Sequence, residues 1–139
     1  MILLDTNVLS ALMQERPDPA VIDWLDAQAP ESIWTTAVTV FEIRFGIELL
    51  SPSRRRRALE AAFDAMLRDD LGGRIAMFDS AAAEEAAKLA ARRQRRGRPV
   101  DLRDTQIAGI ALARRAALAT RNVRHFEGLN VNVVSPWTR

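Results

Sequence analysis

Three carboxylates stand where chemistry is possible: Asp5 in "ILLDTN", Glu42 in "TAVTVFEIRFGIELL" and Asp104 in "DLRDTQIAGIALA". Asp5 ends a run of three aliphatic residues, Glu42 lies inside the most apolar helical stretch, and Asp104 opens another apolar helix. Each has a plain structural use. Asp5 between a strand and a helix is a favoured N-cap. Glu42 could face solvent while Phe41 and Phe45 pack inward. Asp104, three residues after Asp101, suits the first helical turn, where the macrodipole favours a negative charge. If instead the three converge, each pair repels by about 4 kcal/mol at about 4 Å and an effective dielectric near 20. Such a cluster needs a cation, and an all-oxygen donor set favours a hard divalent ion, Mg²⁺ or Mn²⁺. A metal held this way can activate water and stabilise an in-line phosphoryl displacement, which is nuclease chemistry.

The composition removes competitors. No cysteine is present, so a thiolate nucleophile, a disulfide and a Cys-bound zinc are excluded. A single histidine, His125, rules out paired-imidazole cleavage and reads as a surface or loop-packing residue. Neither GxGxxG nor GxxxxGK[ST] occurs, which counts against dinucleotide and P-loop sites. The net charge is +2, but Lys88 is the sole lysine among 20 basic residues, and arginines cluster at Arg54 to Arg57 and between Arg92 and Arg98. Arginine's planar fork suits phosphate. Such runs are also ordinary solvated helix faces, and composition does not choose.

Around the carboxylates, the expected elements alternate. Strands are expected at Ile2 to Asp5, "SIWTT", "RIAMF", "ALAT" and, shorter, "VNVV". Between them helices are expected near Asn7 to Met13, after Asp18 with Pro19 at the first position, over "AVTVFEIRFGIELL", from Ser53 to Leu71, from Asp79 to about Arg96, and from Asp101 to about Ala116. In the third of these, Val38, Phe41, Phe45 and Leu49 share one face, and Gly46 suggests a close approach at that turn. The alternation predicts a single α/β domain over residues 1–139, a mainly parallel sheet of four or five strands covered by helices on both faces. Ligands of open α/β sheets sit beyond the carboxyl ends of the strands, where Asp5 falls. The absence of a basic, then apolar, leader and of any run near 20 apolar residues predicts a soluble cytoplasmic protein with no membrane partner.

Taken together, "ILLDTNVL", "TAVTVFEIRFGIELL", "DLRDTQIAGIALA" and "LATRNVRHFEGLNVNVVSPW" resemble PIN-domain proteins, closely the VapC/FitB-type toxins of type II toxin–antitoxin pairs. The resemblance spans essentially the whole chain. It implies a PIN-like three-layer fold and a Mg²⁺- or Mn²⁺-dependent endoribonuclease acting on RNA phosphodiester bonds. Asp5, Glu42 and Asp104 match the family's acidic metal residues, Thr6 and Asn7 the polar pair after the first Asp, and Thr120 the hydroxyl closing the fourth strand. Asn122 departs from the pattern, since members often carry Asp there. That leaves a fourth anionic ligand missing and keeps open an alternative, a catalytically weak RNA-binding or partner-binding protein. The resemblance also implies a homodimer inhibited by a VapB/FitA-type antitoxin that sets an arginine among the three carboxylates.

Overall fold

The computed structural model describes residues 1–137; Thr138 and Arg139 lie outside it. Five short strands form one sheet: β1 (Ile2–Leu4), β2 (Ile33–Thr36), β3 (Ile75–Ala76), β4 (Ala117–Ala119) and β5 (Val133–Val134). Their order is β3-β2-β1-β4-β5 and every pairing is parallel. The register sets Ile2 beside Ile33 and Ala117, and Leu4 beside Ala119. β1 is therefore the central strand, and the backbone N–H of Asp5 extends the ladder to the Ala119 carbonyl at 2.9 Å.

A strand flanked on both sides must bury both faces, so the alternation that marks half-exposed strands is absent. Leu3 and Leu118 point into one core, beneath α5 (Ser80–Arg95) and α6 (Leu102–Arg114). Leu4 and Ala119 point into the other, with residues of α1 (Thr6–Leu12), α2 (Pro19–Asp26), α3 (Ala37–Glu48) and α4 (Arg54–Ala65). The two cores make the layered, all-parallel α/β arrangement the alternation predicts.

Local signals explain most boundaries. Asp18, Ser53, Asp79 and Asp101 cap α2, α4, α5 and α6 through side-chain oxygens that accept backbone N–H groups. Two boundaries differ from expectation. The helix expected to run to Leu71 leaves α-geometry after Ala65 and continues as a π-turn over Met66–Asp70. Met66 and Leu71 are buried by that wider turn. The strand expected over "RIAMF" keeps only Ile75 and Ala76, because β2 offers partners only at Thr35 and Thr36; Met77 and Phe78 are exposed.

The larger correction concerns α3. Its buried residues are Val38, Thr39, Ile43 and Ile47, whereas Phe41, Phe45 and Leu49 are 57%, 46% and 71% exposed. Residues 39, 43 and 47 form one stripe and 41, 45 and 49 another on the opposite side, since a shift of two residues turns a helix by about 200°. The two phenylalanine rings stack on the surface, centroids 5.9 Å apart. Gly46 is exposed, and a Cβ built there meets no atom within 4 Å, so the close approach expected at that turn is not made within the chain.

Candidate active site at the carboxyl edge of the sheet

The chain leaves β1 and turns directly into α1, with Asp5 at the junction. Asp5 is only 4% exposed and does what a cap does: its Oδ1 accepts the Thr6 N–H at 2.8 Å. Its Oδ2 accepts the Thr120 hydroxyl at 2.7 Å and, more weakly, the Asn7 amide at 3.4 Å. The capping reading and the site reading thus describe one residue with two oxygens in different surroundings.

Thr120, completely buried at the end of β4, is itself fixed from two sides. Its oxygen accepts from the Asn7 side-chain amide at 3.2 Å and from the Asn122 backbone N–H at 3.1 Å. Asn7 completes the bridge between adjacent strand ends by accepting the Arg121 N–H at 2.9 Å. Among the described residues no buried side-chain nitrogen or oxygen lacks a partner. A fully satisfied polar network of this kind is stiff.

Glu42 lies between the buried and the exposed stripes of α3 and is itself half-buried. Its Oε1 accepts the Thr6 hydroxyl at 3.1 Å and its Oε2 lies 3.5 Å from the Arg103 guanidinium. Asp104 sits in the first turn of α6, where its N–H is bonded by Asp101 at 2.9 Å while its own Oδ2 meets His125 Nδ1 at 3.0 Å. Asp5, Thr6, Asn7, Glu42, Asp104 and Asn122 all border one open cavity of about 1040 Å³, with Arg121 and Trp137 on its rim, the guanidinium 5.0 Å from the indole. Thr120 lies beneath them.

All three carboxylates hold protons more tightly than usual. Burial is the first cause in each case. For Asp5 the bonds from Thr120, Thr6 and Asn7 offset part of that rise. The charge of Asp5 pushes Glu42 and Asp104 further up, Asp101 adds to Asp104, and Arg103 and His125 only partly counter them. The site is short of positive charge. Among the described residues no group of three acidic, histidine or cysteine side chains forms a ready-made metal cage.

His125 and Arg103 are neighbours of the site that sequence reasoning did not include. His125 is on the surface, as expected, but its ring reaches across 21 positions to Asp104. Arg103 comes next to Asp104 in the chain and faces Glu42, 61 positions away. Their types carried no signal; only the packing of α6 beside α3 and the Val123–Phe126 turn shows it.

The comparisons agree with this architecture. The model of the family described as PIN domain matches residues 2–130, and the chain belongs to that family. Within it, the chain is 38% identical to plasmid stability protein StbB of Pseudomonas syringae pv. tomato, over 99% of each chain, and 36% identical to VapC ribonuclease Y4jK of Sinorhizobium fredii, over 99% of this chain and 98% of that protein. The crystal structure of FitAcB from Neisseria gonorrhoeae superposes with a TM-score of 0.90 at 32% identity, covering all of both chains.

Proposed function

We propose that the chain is the toxin of a toxin–antitoxin pair and a divalent-metal-dependent endoribonuclease, with Asp5, Glu42 and Asp104 as metal-holding residues. The observation that carries the reading is the convergence of three proton-avid carboxylates on one open cavity at the carboxyl ends of β1 and β4, with too few cations of their own. The names of relatives support the activity and the toxin role: one is called a VapC ribonuclease, and another toxin FitB.

The donor set fits Mg²⁺ or Mn²⁺. Such ions accept one or two carboxylates and complete their shell with water and phosphate oxygens, so an open, incomplete cage is appropriate. When bound, the ion would polarise the scissile phosphate and lower the cost of activating water. The chain's own contribution is placement. Thr6 and Thr120 fix both oxygens of Asp5, the Thr6 hydroxyl fixes one oxygen of Glu42, and His125 holds Oδ2 of Asp104. Asn7 locks the β1 and β4 ends together, which keeps that placement rigid.

The same anionic pocket suits an inhibitory arginine from a VapB/FitA-type antitoxin, because a guanidinium would neutralise the charge a metal otherwise would. The exposed Phe41, Phe45 and Leu49 supply an apolar surface for the expected homodimer.

The test is incubation of antitoxin-free protein with total bacterial RNA, in Mn²⁺ or Mg²⁺ and in chelator, beside Asp5→Asn. Discrete fragments that need metal and disappear in the variant are expected; fragments surviving in chelator or in Asp5→Asn would overturn the reading. A second reading, a catalytically weak RNA- or partner-binding protein, rests on Asn122, whose uncharged side chain borders the cavity. Under that reading Asn122→Asp raises cleavage sharply, whereas three sufficient carboxylates leave it little changed.

A further inference from the structure

Behind Asp104 lies a second, smaller cleft of about 330 Å³, bounded by Arg93, Asp101, Asp104, Thr105, Arg124 and His125. Asp104 is the residue it shares with the main cavity, so the two clefts adjoin at one carboxylate.

The polar groups of this cleft are unevenly occupied. Asp101 Oδ1 is taken by the Asp104 N–H at 2.9 Å and the Thr105 hydroxyl by the Asp101 carbonyl at 2.6 Å. Arg93 donates Nη2 to the His125 carbonyl at 2.7 Å, which pins the turn carrying the imidazole, and keeps its other N–H groups. His125 uses Nδ1 on Asp104, so Nε2 is open. Arg124 has a guanidinium with no partner among the described residues. The open groups are therefore mostly donors, two of them on arginines whose forks match phosphate oxygens.

We propose that this cleft binds a backbone phosphate of the RNA strand, one neighbouring the scissile phosphate, with Arg124 as the principal contact and Arg93 and His125 in support. The inference rests on the ribonuclease reading for its substrate. Continuity favours a polyanionic strand: a chain that passes from one adjoining cleft to the other presents an anion to each. The remaining charge of Asp101 and Asp104 disfavours a free dianion and selects for a singly charged phosphodiester already anchored elsewhere. The rest of the arginine cluster, at the end of α5, lends long-range attraction.

The experiment measures binding of a labelled single-stranded RNA of about 12 nucleotides to the full chain in chelator, as a function of salt, for wild type, Arg124→Gln, Arg124→Lys and, as a control, Arg68→Gln. Arg68 pairs with Asp69 outside both clefts. Loss of one phosphate contact on a single strand lowers the salt slope by about 0.7 and the affinity by roughly tenfold at low salt. That result is expected for Arg124→Gln, with most of the slope retained in Arg124→Lys and all of it in Arg68→Gln. An unchanged slope in Arg124→Gln, an equal loss in the control, or no binding by wild type at low salt overturns the proposal. So does weakened antitoxin binding with unaltered RNA binding, which would assign the cleft to an acidic protein segment. Because cleavage plays no part in the measurement, wild type that cuts RNA with an Arg124-independent slope refutes only this subsite. Wild type that binds through Arg124 but never cuts refutes only the nuclease.

Discussion

Helices α3 and α6 each deliver one acidic residue to the cavity and each carries a glycine in its interior, yet the two glycines meet opposite conditions. A Cβ on Gly109 of α6 would stand 2.5 Å from the Ala82 carbonyl and 2.8 Å from the Ala86 methyl of α5, so the two helix backbones are in near contact. A Cβ on Gly46 of α3 would meet nothing within 4 Å. α6 is locked into the fold on the side away from Asp104, while α3 presents an open apolar face one turn from Glu42. The difference separates two reasons for a glycine in a helix: one belongs to the chain's own packing, the other leaves room on a surface.

The largest effects are expected at the carboxylates that α3 and α6 carry. Under the proposed function, Asp104→Asn and Glu42→Gln are each expected to lower RNA cleavage about a thousandfold or more, since a bound ion would supply several kcal/mol of transition-state stabilisation. Circular dichroism should show both variants folded. If one variant keeps wild-type cleavage, the two helices are not equal contributors.

Next in size are the packing changes. Ile43→Ala or Ile47→Ala is expected to cost about 2 to 5 kcal/mol by cavity formation, and Gly109→Ala about 1 to 3 kcal/mol by overpacking. Phe41→Ala and Phe45→Ala in the isolated chain should each stay within about 0.5 kcal/mol. Denaturant unfolding decides it, and a large loss at Phe41 would mean that the outward stripe is buried in the free protein.

Gly46→Ala works in the other direction. With helical backbone and open space it should gain up to about 1 kcal/mol. A loss in the same unfolding measurement would show that the surface there is already covered, by a second copy of the chain for instance.

The gentlest probe is pH. Asp5, Glu42 and Asp104 all have folded pKa values above their ordinary 3.8, 4.5 and 3.8. Their protonated forms are favoured on folding, so this contribution to stability is full below the ordinary values and lost as pH rises through the raised ones. In chelator, acidifying from neutrality towards those ordinary values should raise the melting temperature of wild type relative to Asp5→Asn. Added Mn²⁺ at neutral pH should do the same, and parallel curves for the two proteins would remove the electrostatic account.

Much of this was legible in the residues because it is local. The caps at Asp18, Ser53, Asp79 and Asp101, the strand and helix alternation and the position of Asp5 at a strand end follow from short-range chemistry, and the structure has them. What was not legible depends on orientation. α3 is apolar on two opposed stripes, so periodicity alone could not say whether Ile43 and Ile47 or Phe41 and Phe45 face the core. The outcome follows from tertiary packing, in which Ile43 and Ile47 join the core of Leu4, Val8, Leu9 and Phe63. The π-turn at Met66, the near contact at Gly109 and the reach of His125 to Asp104 likewise arise from tertiary packing, which leaves no mark in local spacing.

The bond between Thr120 and Asp5 joins residues 115 positions apart, and the Asp5 backbone depends on Ala119 in the same way. A nascent chain that has not yet delivered β4 lacks both the neighbour of its central strand and the hydroxyl that orients the first carboxylate. The setting of Asp5 therefore cannot assemble from the N-terminal part of the chain alone; it waits for residues more than 110 positions later.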